Sequence, residues 1–311
     1  MSEARTPAVA LVGATASGKS ALAHRVAREL GDTEIVSVDA MCVYRGMDLA
    51  TAKATRVERE EVKYHLLDLV EASQEFSVAQ FQRAALAARE EIDSRGHRAL
   101  YVGGTGLYGR VVLDEFEVPG RYPEVRASLE ARATGDLAGL YRELQDLDAL
   151  AASRMEATNE RRIVRALEVT IGSGRAFSSF GDGLRTYGSG GVVQIALDVP
   201  LDVLDERIER RFRRWMDEGL VEEVDALRAT PGGLARTARQ ALGYREILAH
   251  LEDGADLEEC VLRAITQSRR LARRQRSWFR RDPRIEWYSD LESAGARLIA
   301  VLNGADAVVR D

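Results

Sequence analysis

The sequence has few cysteines and no long apolar run. Its 311 residues contain two cysteines, Cys42 and Cys260, which stand far apart and outside any C-x-x-C pattern. This excludes a disulfide framework and a cysteine-based zinc site. No run of about 18 apolar residues is present to span a membrane, and the first residues lack the apolar stretch of a signal peptide. We therefore expect a protein of the reducing cytoplasm with no membrane partner.

Positive charge is also scarce over the chain as a whole. Lysine and arginine number 44 against 50 aspartates and glutamates, which gives a formal net charge of -6. This average argues against a nucleic-acid partner, because such binding needs local positive charge. However, nine arginines and a single acid, Asp282, lie between residues 263 and 284. The uneven distribution predicts a basic surface on an acidic protein.

Short apolar segments alternate with helical patterns in the first third of the chain. Buried strands are predicted at 8–12, 35–38 and 99–102, and helices at 20–30 and 77–94. This alternation implies parallel strands joined by crossover helices, and therefore an α/β sheet covered on both faces.

The pattern changes near residue 118. From there to about residue 170 the periodicity is helical without a convincing strand, and seven glycines follow between 172 and 191. The earlier pattern then resumes with predicted strands at 192–199 and 285–288 and predicted helices at 201–227 and 257–279. We predict an α/β core formed by 1–118 and 191–311, with a mainly helical insertion at 119–190.

Residues 13–20 read GATASGKS, directly after a predicted strand and at the start of a predicted helix. This is the context that the G-x-x-x-x-G-K-[ST] phosphate-binding motif requires. Backbone N–H groups and the helix N-terminus would surround the phosphates, Lys19 would neutralise their charge, and the Ser20 hydroxyl would bind Mg²⁺. The predicted phosphate contacts are Gly13, Thr15, Ala16, Ser17, Gly18, Lys19 and Ser20. We call residues 13–20 the phosphate loop.

The motif alone does not identify the phosphate compound. A nucleotide hydrolase has an apolar strand that ends in a Mg²⁺-binding aspartate, but the strand at 99–102 ends in Gly103 and Gly104. Asp198 follows another apolar run, yet a helix is predicted soon after it, so we interpret Asp198 as a loop or capping residue. No N-K-x-D guanine motif is present. These absences disfavour ATP or GTP hydrolysis.

Two further polar residues follow predicted strands and should face the phosphate loop. Asp39 follows the strand at 35–38, where three roles remain open: a ligand of a metal-bound water, a helix N-cap or a general base. Thr105 follows the strand at 99–102, where its hydroxyl either contacts a phosphate or caps the next helix.

Seven separated segments, in order, resemble the bacterial tRNA dimethylallyltransferases, also called tRNA isopentenyltransferases. They are residues 13–20, 37–53, 65–68 (HLLD), 102–108 (VGGTGLY), 165–169 (RALEV), 241–246 (ALGYRE) and 273–279. The resemblance implies a P-loop NTPase-like parallel sheet flanked by helices, with a helical insertion domain that contacts tRNA.

The resemblance also implies a reaction. A dimethylallyl group would pass from dimethylallyl pyrophosphate to the exocyclic N6 amino group of an adenosine, with release of pyrophosphate. The acceptor would lie directly 3′ of the anticodon, in tRNAs whose anticodon ends in adenosine. Asp39 would act as general base, Thr105 and Lys19 would contact the pyrophosphate, and Arg211 would clamp it.

The partners implied are the tRNA anticodon stem-loop and dimethylallyl pyrophosphate, with Mg²⁺ as cofactor, and we expect a monomer. Positions that would touch tRNA are Asp39, Ala40, Met41, Cys42, Thr105, Arg126, Arg161, Arg162, Arg165, Arg239, Gly243, Tyr244, Arg245, Arg273, Arg274 and Gln275. Cys42 stands where many relatives carry glutamine. This predicts that the contact recognising the RNA base is weaker or comes from another residue. For Trp278 and Phe279 we predict core packing instead of base stacking, and for His65 a structural hydrogen bond.

Two other classes of protein share parts of this pattern. A small-molecule kinase has the same phosphate loop and α/β core, but it does not require a basic C-terminal helix. In a non-catalytic RNA-binding protein, nothing would require Lys19, Asp39 and Thr105 to lie close together. The tRNA-modifying transferase explains all of these features together.

Overall fold

The computed structural model describes residues 8–114, 117–180, 187 and 192–304. Its centre is a six-stranded sheet in the order β3-β2-β4-β1-β5-β6, with every neighbouring pair parallel. The strands are β1 (Ala8–Val12), β2 (Thr33–Val38), β3 (Tyr64–His65), β4 (Arg98–Gly103), β5 (Val193–Leu197) and β6 (Ile285–Tyr288). Parallel neighbours need crossover connections, which the helices supply. The predicted α/β class is confirmed.

The α-helices are described here in chain order. They are α1 (Lys19–Leu30), α2 (Arg56–Glu61), α3 (Val78–Ser94), α4 (Gly106–Leu113), α5 (Pro123–Leu147), α6 (Ala149–Ser153), α7 (Glu160–Ser173), α8 (Leu201–Asp217), α9 (Leu220–Ala229), α10 (Arg236–Arg239), α11 (Tyr244–Asp253), α12 (Leu257–Phe279) and α13 (Leu291–Leu302). Within the described ranges, none is both long and apolar enough to cross a bilayer.

Side chains of the central strand β1 alternate between two apolar clusters. Val9 and Leu11 pack in a cluster with residues of α1 and α13. Ala10 and Val12 pack on the other side with residues of α3, α8, α11 and α12. Because successive side chains of a strand point to opposite faces, this arrangement buries both faces of the sheet, as expected for parallel strands.

Several elements have the bounds that the sequence predicts, and others differ. Strands β1 and β6 and helix α12 match the prediction. The single helix predicted at 201–227 is wrong, because Gly219 adopts φ 98° and separates α8 from α9, a conformation that glycine tolerates. The sequence prediction did not include β3, α11 or α13.

The chain divides into two compact units, one formed by Met1–Leu113 with Ser189–Asp311 and the other by Asp114–Gly188. The predicted insertion, 119–190, differs from the second unit by a few residues at each end. Most of its glycine-rich end, 181–186 and 188–191, lies outside the described residues. Helices α5, α6 and α7 of the second unit enclose their own apolar core, which includes Leu129, Leu144 and Ile163.

Candidate functional site

The carboxyl ends of β1, β4 and β2 lie side by side at one edge of the sheet, because these strands are neighbours. Each is followed by a segment singled out by the sequence: the phosphate loop, Gly103 to Thr105, and Asp39. Side chains from two of these segments and from α8 line one pocket of about 130 Å³. The predicted residues that line it are Thr15, Lys19, Ser20, Asp39, Cys42 and Arg211.

The phosphate loop presents backbone and hydroxyl donors around its curve. Gly13 and Gly18 have φ values of 137° and 97°, and Ala16 also has a positive φ of 64°. Helix α1 begins at Lys19 without a side-chain cap on its N-terminal N–H groups, and the buried Ser17 hydroxyl has no hydrogen-bond partner among the described residues. Turned-in N–H groups at a helix N-terminus form an anion site.

Two desolvated cations, Lys19 of the loop and Arg211 of α8, line the pocket. Burial, reinforced by the charge of Arg211, lowers the pKa of Lys19 to about 8, although Asp39 acts in the opposite direction. Burial also lowers the pKa of Arg211 to about 10. Arg211 donates from Nη2 to the Thr15 hydroxyl at 2.7 Å, and its buried Nε has no acceptor in the part of the chain that the structure describes. An anion in the pocket would stabilise both charges.

Asp39 lines the pocket from a segment that does not begin a helix. Its Oδ1 accepts a hydrogen bond from the Met41 backbone N–H at 2.8 Å, which is the pattern of an Asx turn. The next helix, α2, begins only at Arg56, so the N-cap interpretation of Asp39 is wrong. The roles of metal-water ligand and general base remain compatible with its position in the pocket.

The wall beside Asp39 is held by a buried lysine that the sequence prediction did not single out. The Lys53 side chain has no exposed surface, and its Nζ donates to the Tyr44 carbonyl, Asp48 and Asp68, each at 2.7 Å. These contacts fix the segment that carries Cys42. Lys53 lies in the resembling segment 37–53, but its three partners are brought together only by tertiary structure.

Cys42 contributes a buried thiol to the same wall. Burial and the charge of Asp39 raise the pKa of the Cys42 thiol, so the thiol stays protonated. Its Sγ lies 3.7 Å from the Thr51 carbonyl oxygen. The structure therefore places a small apolar group and a weak donor beside Asp39.

The turn after β4 requires glycine for steric reasons. A Cβ on Gly103 would lie 2.1 Å from the Val38 carbonyl oxygen, one on Gly104 would lie 2.6 Å from Gln275 Nε2, and one on Gly106 would lie 2.1 Å from Trp278 Nε1. Thr105 does not line the pocket described above, and its carbonyl accepts the Gly109 N–H as α4 begins. Its predicted contact with pyrophosphate stays a prediction.

Comparison with known proteins identifies the family. The model of a family described as IPP transferase matches residues 42–282. The chain belongs to the IPP transferase family. A protein of Bifidobacterium animalis subsp. lactis named tRNA dimethylallyltransferase is 43% identical over 305 residues, which cover 96% of this chain and 87% of that protein. A protein of Salinispora arenicola with the same name is 47% identical over 294 residues, covering 94% and 84%.

Solved structures agree with this assignment. The tRNA isopentenylpyrophosphate transferase of Bacillus halodurans aligns with a TM-score of 0.68 at 33% identity, over 96% of this chain and 97% of that one. A eukaryotic dimethylallyltransferase described as acting on tRNA aligns with a TM-score of 0.81 at 23% identity, covering 98% and 81%. At that identity the second similarity supports the fold alone. The P-loop NTPase-like architecture implied by the sequence is thereby confirmed.

The arginines of α12 and of the residues directly after it are not all free to bind an anion. Arg269 pairs with Glu209 and Arg273 with Asp205, both carboxylates of α8. Arg276 and Arg280 both pair with Asp198, which confirms Asp198 as a loop residue and gives it a partner. Between residues 263 and 284, all of which the structure describes, the exposed arginines without a carboxylate within 4.0 Å are Arg263, Arg270, Arg274 and Arg281. The basic surface is therefore narrower than the sequence predicts.

The aromatic residues near the end of α12 pack as predicted. Phe279 is buried in the large apolar cluster, and the half-buried Trp278 packs against the same cluster. Core packing is confirmed for both.

The predicted tRNA contacts around α11 have protein partners. Tyr244 is fully buried and its hydroxyl donates to Glu223, so its side chain is used inside the protein; its predicted contact with tRNA stays a prediction. Arg239 pairs with Glu252, and Arg245 pairs with Glu246. A role of these two arginines in RNA binding stays a prediction.

In the second unit, two of the predicted arginines share one buried carboxylate. Glu168 is 1% exposed and lies 3.1 Å from Arg126 Nη1 and 2.9 Å from Arg165 Nη1. Arg161 and Arg162 are exposed, and no described carboxylate lies within 4.0 Å of either. Contacts of all four arginines with tRNA stay predictions.

The residues present fit a magnesium ion whose coordination is completed by oxygens of the substrate. Within residues 8–114, 117–180, 187 and 192–304, no three His, Cys, Asp or Glu side chains converge on a possible metal site. The Ser20 hydroxyl and the Asp39 carboxylate do line the same pocket. Mg²⁺ is held by few protein oxygens together with water and substrate phosphates, which this donor set matches.

Proposed function

We propose that this protein transfers a dimethylallyl group from dimethylallyl pyrophosphate to the N6 amino group of an adenosine in tRNA. The acceptor is the adenosine 3′ of the anticodon, in tRNAs whose anticodon ends in adenosine. The observation that carries the proposal is one pocket that combines the phosphate loop, Lys19 and Arg211 with the Asp39 carboxylate, in a chain whose curated relatives are named tRNA dimethylallyltransferase.

The pocket supports binding and departure of the donor pyrophosphate. Loop N–H groups bind the phosphate oxygens, and Lys19 and Arg211 neutralise them. As the allylic C–O bond breaks, negative charge gathers on the departing pyrophosphate. Donors already fixed in place stabilise that charge without reorganisation. Thr105 adds a hydroxyl to the same leaving group.

The acceptor chemistry requires removal of one proton. The adenine amino nitrogen forms a bond to the allylic carbon, and the proton that it loses passes to the Asp39 carboxylate. A neutral exocyclic amine is a weak nucleophile, so a carboxylate within hydrogen-bond reach assists the attack. The Asx turn with Met41 fixes Asp39 Oδ1, which leaves Oδ2 for the amino group.

A magnesium ion would be held by Ser20 and pyrophosphate oxygens, and it would neutralise charge on the leaving group. The chain's own residues perform the remaining functions of donor binding and proton acceptance.

RNA recognition requires positive surface and an exposed base. The target base has to leave its stack, which costs a few kcal/mol, and backbone contacts offset that cost. Exposed arginines suited to phosphate contact occur in each compact unit: Arg270, Arg274 and Arg281 in the first, and Arg161 and Arg162 in the second.

A transfer assay tests the proposal. Purified protein is incubated with Mg²⁺, radiolabelled dimethylallyl pyrophosphate and an anticodon stem-loop whose anticodon ends in adenosine. A stem-loop with a different last anticodon base is the matched RNA control. We expect label in the first RNA alone, and at least a 100-fold slower rate with Asp39→Asn, since general-base catalysis contributes about 10²–10⁴-fold.

An absence of transfer to either RNA, together with ATP consumption when small acceptors are offered, would replace this proposal with the kinase alternative. Asp198 argues against that alternative, because Arg276 and Arg280 occupy both of its oxygens.

A further inference from the structure

Gln275 connects the phosphate loop to the turn after β4. Its side-chain Oε1 accepts the Thr15 backbone N–H at 2.8 Å, and its Nε2 donates to the Gly104 carbonyl oxygen at 2.9 Å. Both polar ends of the side chain are therefore used inside the protein. This differs from the contact with tRNA that the sequence resemblance implies for Gln275.

The fit around Gln275 is tight. A Cβ on Gly104 would lie 2.6 Å from Gln275 Nε2 and 3.1 Å from the Gly13 carbonyl oxygen. One helical turn further along α12, Trp278 packs against Gly106 in the same way. Helix α12 thus contacts both the phosphate loop and the turn after β4, with no space for side chains on those glycines.

Thr15 is held from two directions. Gln275 binds its backbone N–H, while Arg211 donates to its hydroxyl at 2.7 Å. The helices that carry these two side chains are joined by ion pairs of Arg269 with Glu209 and of Arg273 with Asp205. Position and orientation of Thr15 are therefore set by a rigid assembly of α8 and α12.

From this geometry, and resting on the proposed function, we infer that Gln275 is a positioning residue for the donor pyrophosphate and not an RNA contact. It holds the third residue of the phosphate loop so that the loop N–H groups and Arg211 point into one pocket. Its neighbour Arg274 is exposed and has no carboxylate within 4.0 Å among the described residues. Because its charge is available to a phosphate, Arg274 contacts RNA instead. Two adjacent residues of α12 thus serve different substrates.

The same substitution at two adjacent positions separates these roles. Gln275→Met keeps the length of the side chain but removes both hydrogen bonds, and Arg274→Met removes an exposed charge. The probes are inorganic pyrophosphate with Mg²⁺, measured by calorimetry, and a fluorescent anticodon stem-loop, measured by anisotropy. We expect Gln275→Met to weaken pyrophosphate binding about 10-fold, because a loop no longer held by these two hydrogen bonds must be ordered when the ligand binds, and RNA binding by less than about 2-fold.

Arg274→Met should give the opposite result, with weaker RNA binding and unchanged pyrophosphate binding. In steady-state kinetics, Gln275→Met should raise KM for the donor while KM for RNA stays the same, a split that general destabilisation does not produce. Thermal unfolding of each variant is recorded alongside.

Weaker RNA binding by Gln275→Met with unchanged pyrophosphate binding would overturn the inference. So would equal losses for both ligands accompanied by a lower unfolding temperature. Binding of pyrophosphate needs no prenyl transfer, so a wild-type protein that binds pyrophosphate but labels no RNA would contradict the proposed function and leave this test intact. A wild-type protein that does not bind pyrophosphate would overturn both.

Discussion

Lys19 shows how a single residue acquires its function from its surroundings. The motif predicts a lysine that neutralises phosphate charge, and any exposed lysine would keep its proton at neutral pH. In the pocket, burial and Arg211 lower its pKa to about 8. A bound anion stabilises the protonated form and raises that pKa again. Donor binding is therefore linked to proton uptake.

This linkage gives a measurable proton count. At about pH 9, Lys19 of the free protein is mostly neutral, so pyrophosphate binding should take up close to one proton at this site; at pH 7 it should take up about a tenth. Calorimetry in buffers of different ionisation enthalpy measures the proton uptake. Lys19→Arg stays protonated, so its uptake reports the ligand alone and is subtracted from that of the wild type. Equal proton uptake by the wild type and Lys19→Arg at about pH 9 would contradict the assignment of this uptake to Lys19.

Asp39 illustrates the limit of residue-level prediction. The sequence places it after a strand and leaves three roles open. The Met41 hydrogen bond and the distant start of α2 exclude one role, since an N-cap has to precede its own helix. Only the fold supplies this information, because the conformation of the segment after Asp39 depends on how Lys53 binds Tyr44, Asp48 and Asp68.

At the scale of elements, strand β2 is anchored at its amino end by a buried carboxylate, at the edge of the sheet away from the pocket. Glu34 is 3% exposed and accepts hydrogen bonds from Arg95, His65 and His97 at 2.6–2.8 Å. This confirms a structural hydrogen bond for His65. Burial alone would raise the pKa of Glu34, but the hydrogen bonds from Arg95 and His65 outweigh it and hold the pKa at about 2.

The sign of the resulting pH dependence follows from the depressed pKa. The stabilisation from Glu34 is fully present above its usual pKa of 4.5 and is lost as pH falls toward about 2. We expect Glu34→Gln to lower the free energy of unfolding at pH 7 by about 3 kcal/mol, because it leaves buried partners unsatisfied. Urea denaturation measures this loss, and donor affinity of the folded variant should not change.

The matched control is Glu91→Gln, which removes another partner of Arg95 at an exposed position. Its cost should be below about 1 kcal/mol. If the two variants were equally stable, Glu34 would not anchor the strand.

Element boundaries followed the sequence closely where periodicity was strong, as in α12 and β1. Strand β3 has two residues, too few to show a period, and it exists because it pairs with β2. Helix α13 covers an apolar face of the sheet together with α1. Its Asp290 cap and the helical spacing of Ala294, Leu298 and Val301 form a local pattern that the sequence prediction missed.

For the whole molecule, the charge distribution decides which arginines reach RNA. The chain is acidic overall, and its acids lie next to many of its arginines. Arg273 is paired with Asp205 on α8, while Arg274 has no acidic partner within the described residues. Counterion release depends on charges that are available to phosphate, so the two neighbours should differ.

Salt dependence of RNA binding measures this difference. Arg274→Gln should reduce the slope of log K against log salt by about 0.7–0.9, the value for one phosphate contact. The double variant Arg273→Gln with Asp205→Asn removes a neutral pair and should leave the slope nearly unchanged. Equal reductions in both proteins would show that Arg273 leaves Asp205 to bind RNA.

The sequence by itself determined the α/β class, the phosphate loop and the family, because these depend on local patterns and on ordered motifs. It also placed Asp39 and Thr105 after the strands that border the loop, since chain order fixes where parallel strands end. Tertiary structure alone decided which charges remain available and which side chains hold the loop. Ion pairs and the contacts of Gln275 join residues far apart in the chain, and their geometry depends on how helices pack against the sheet.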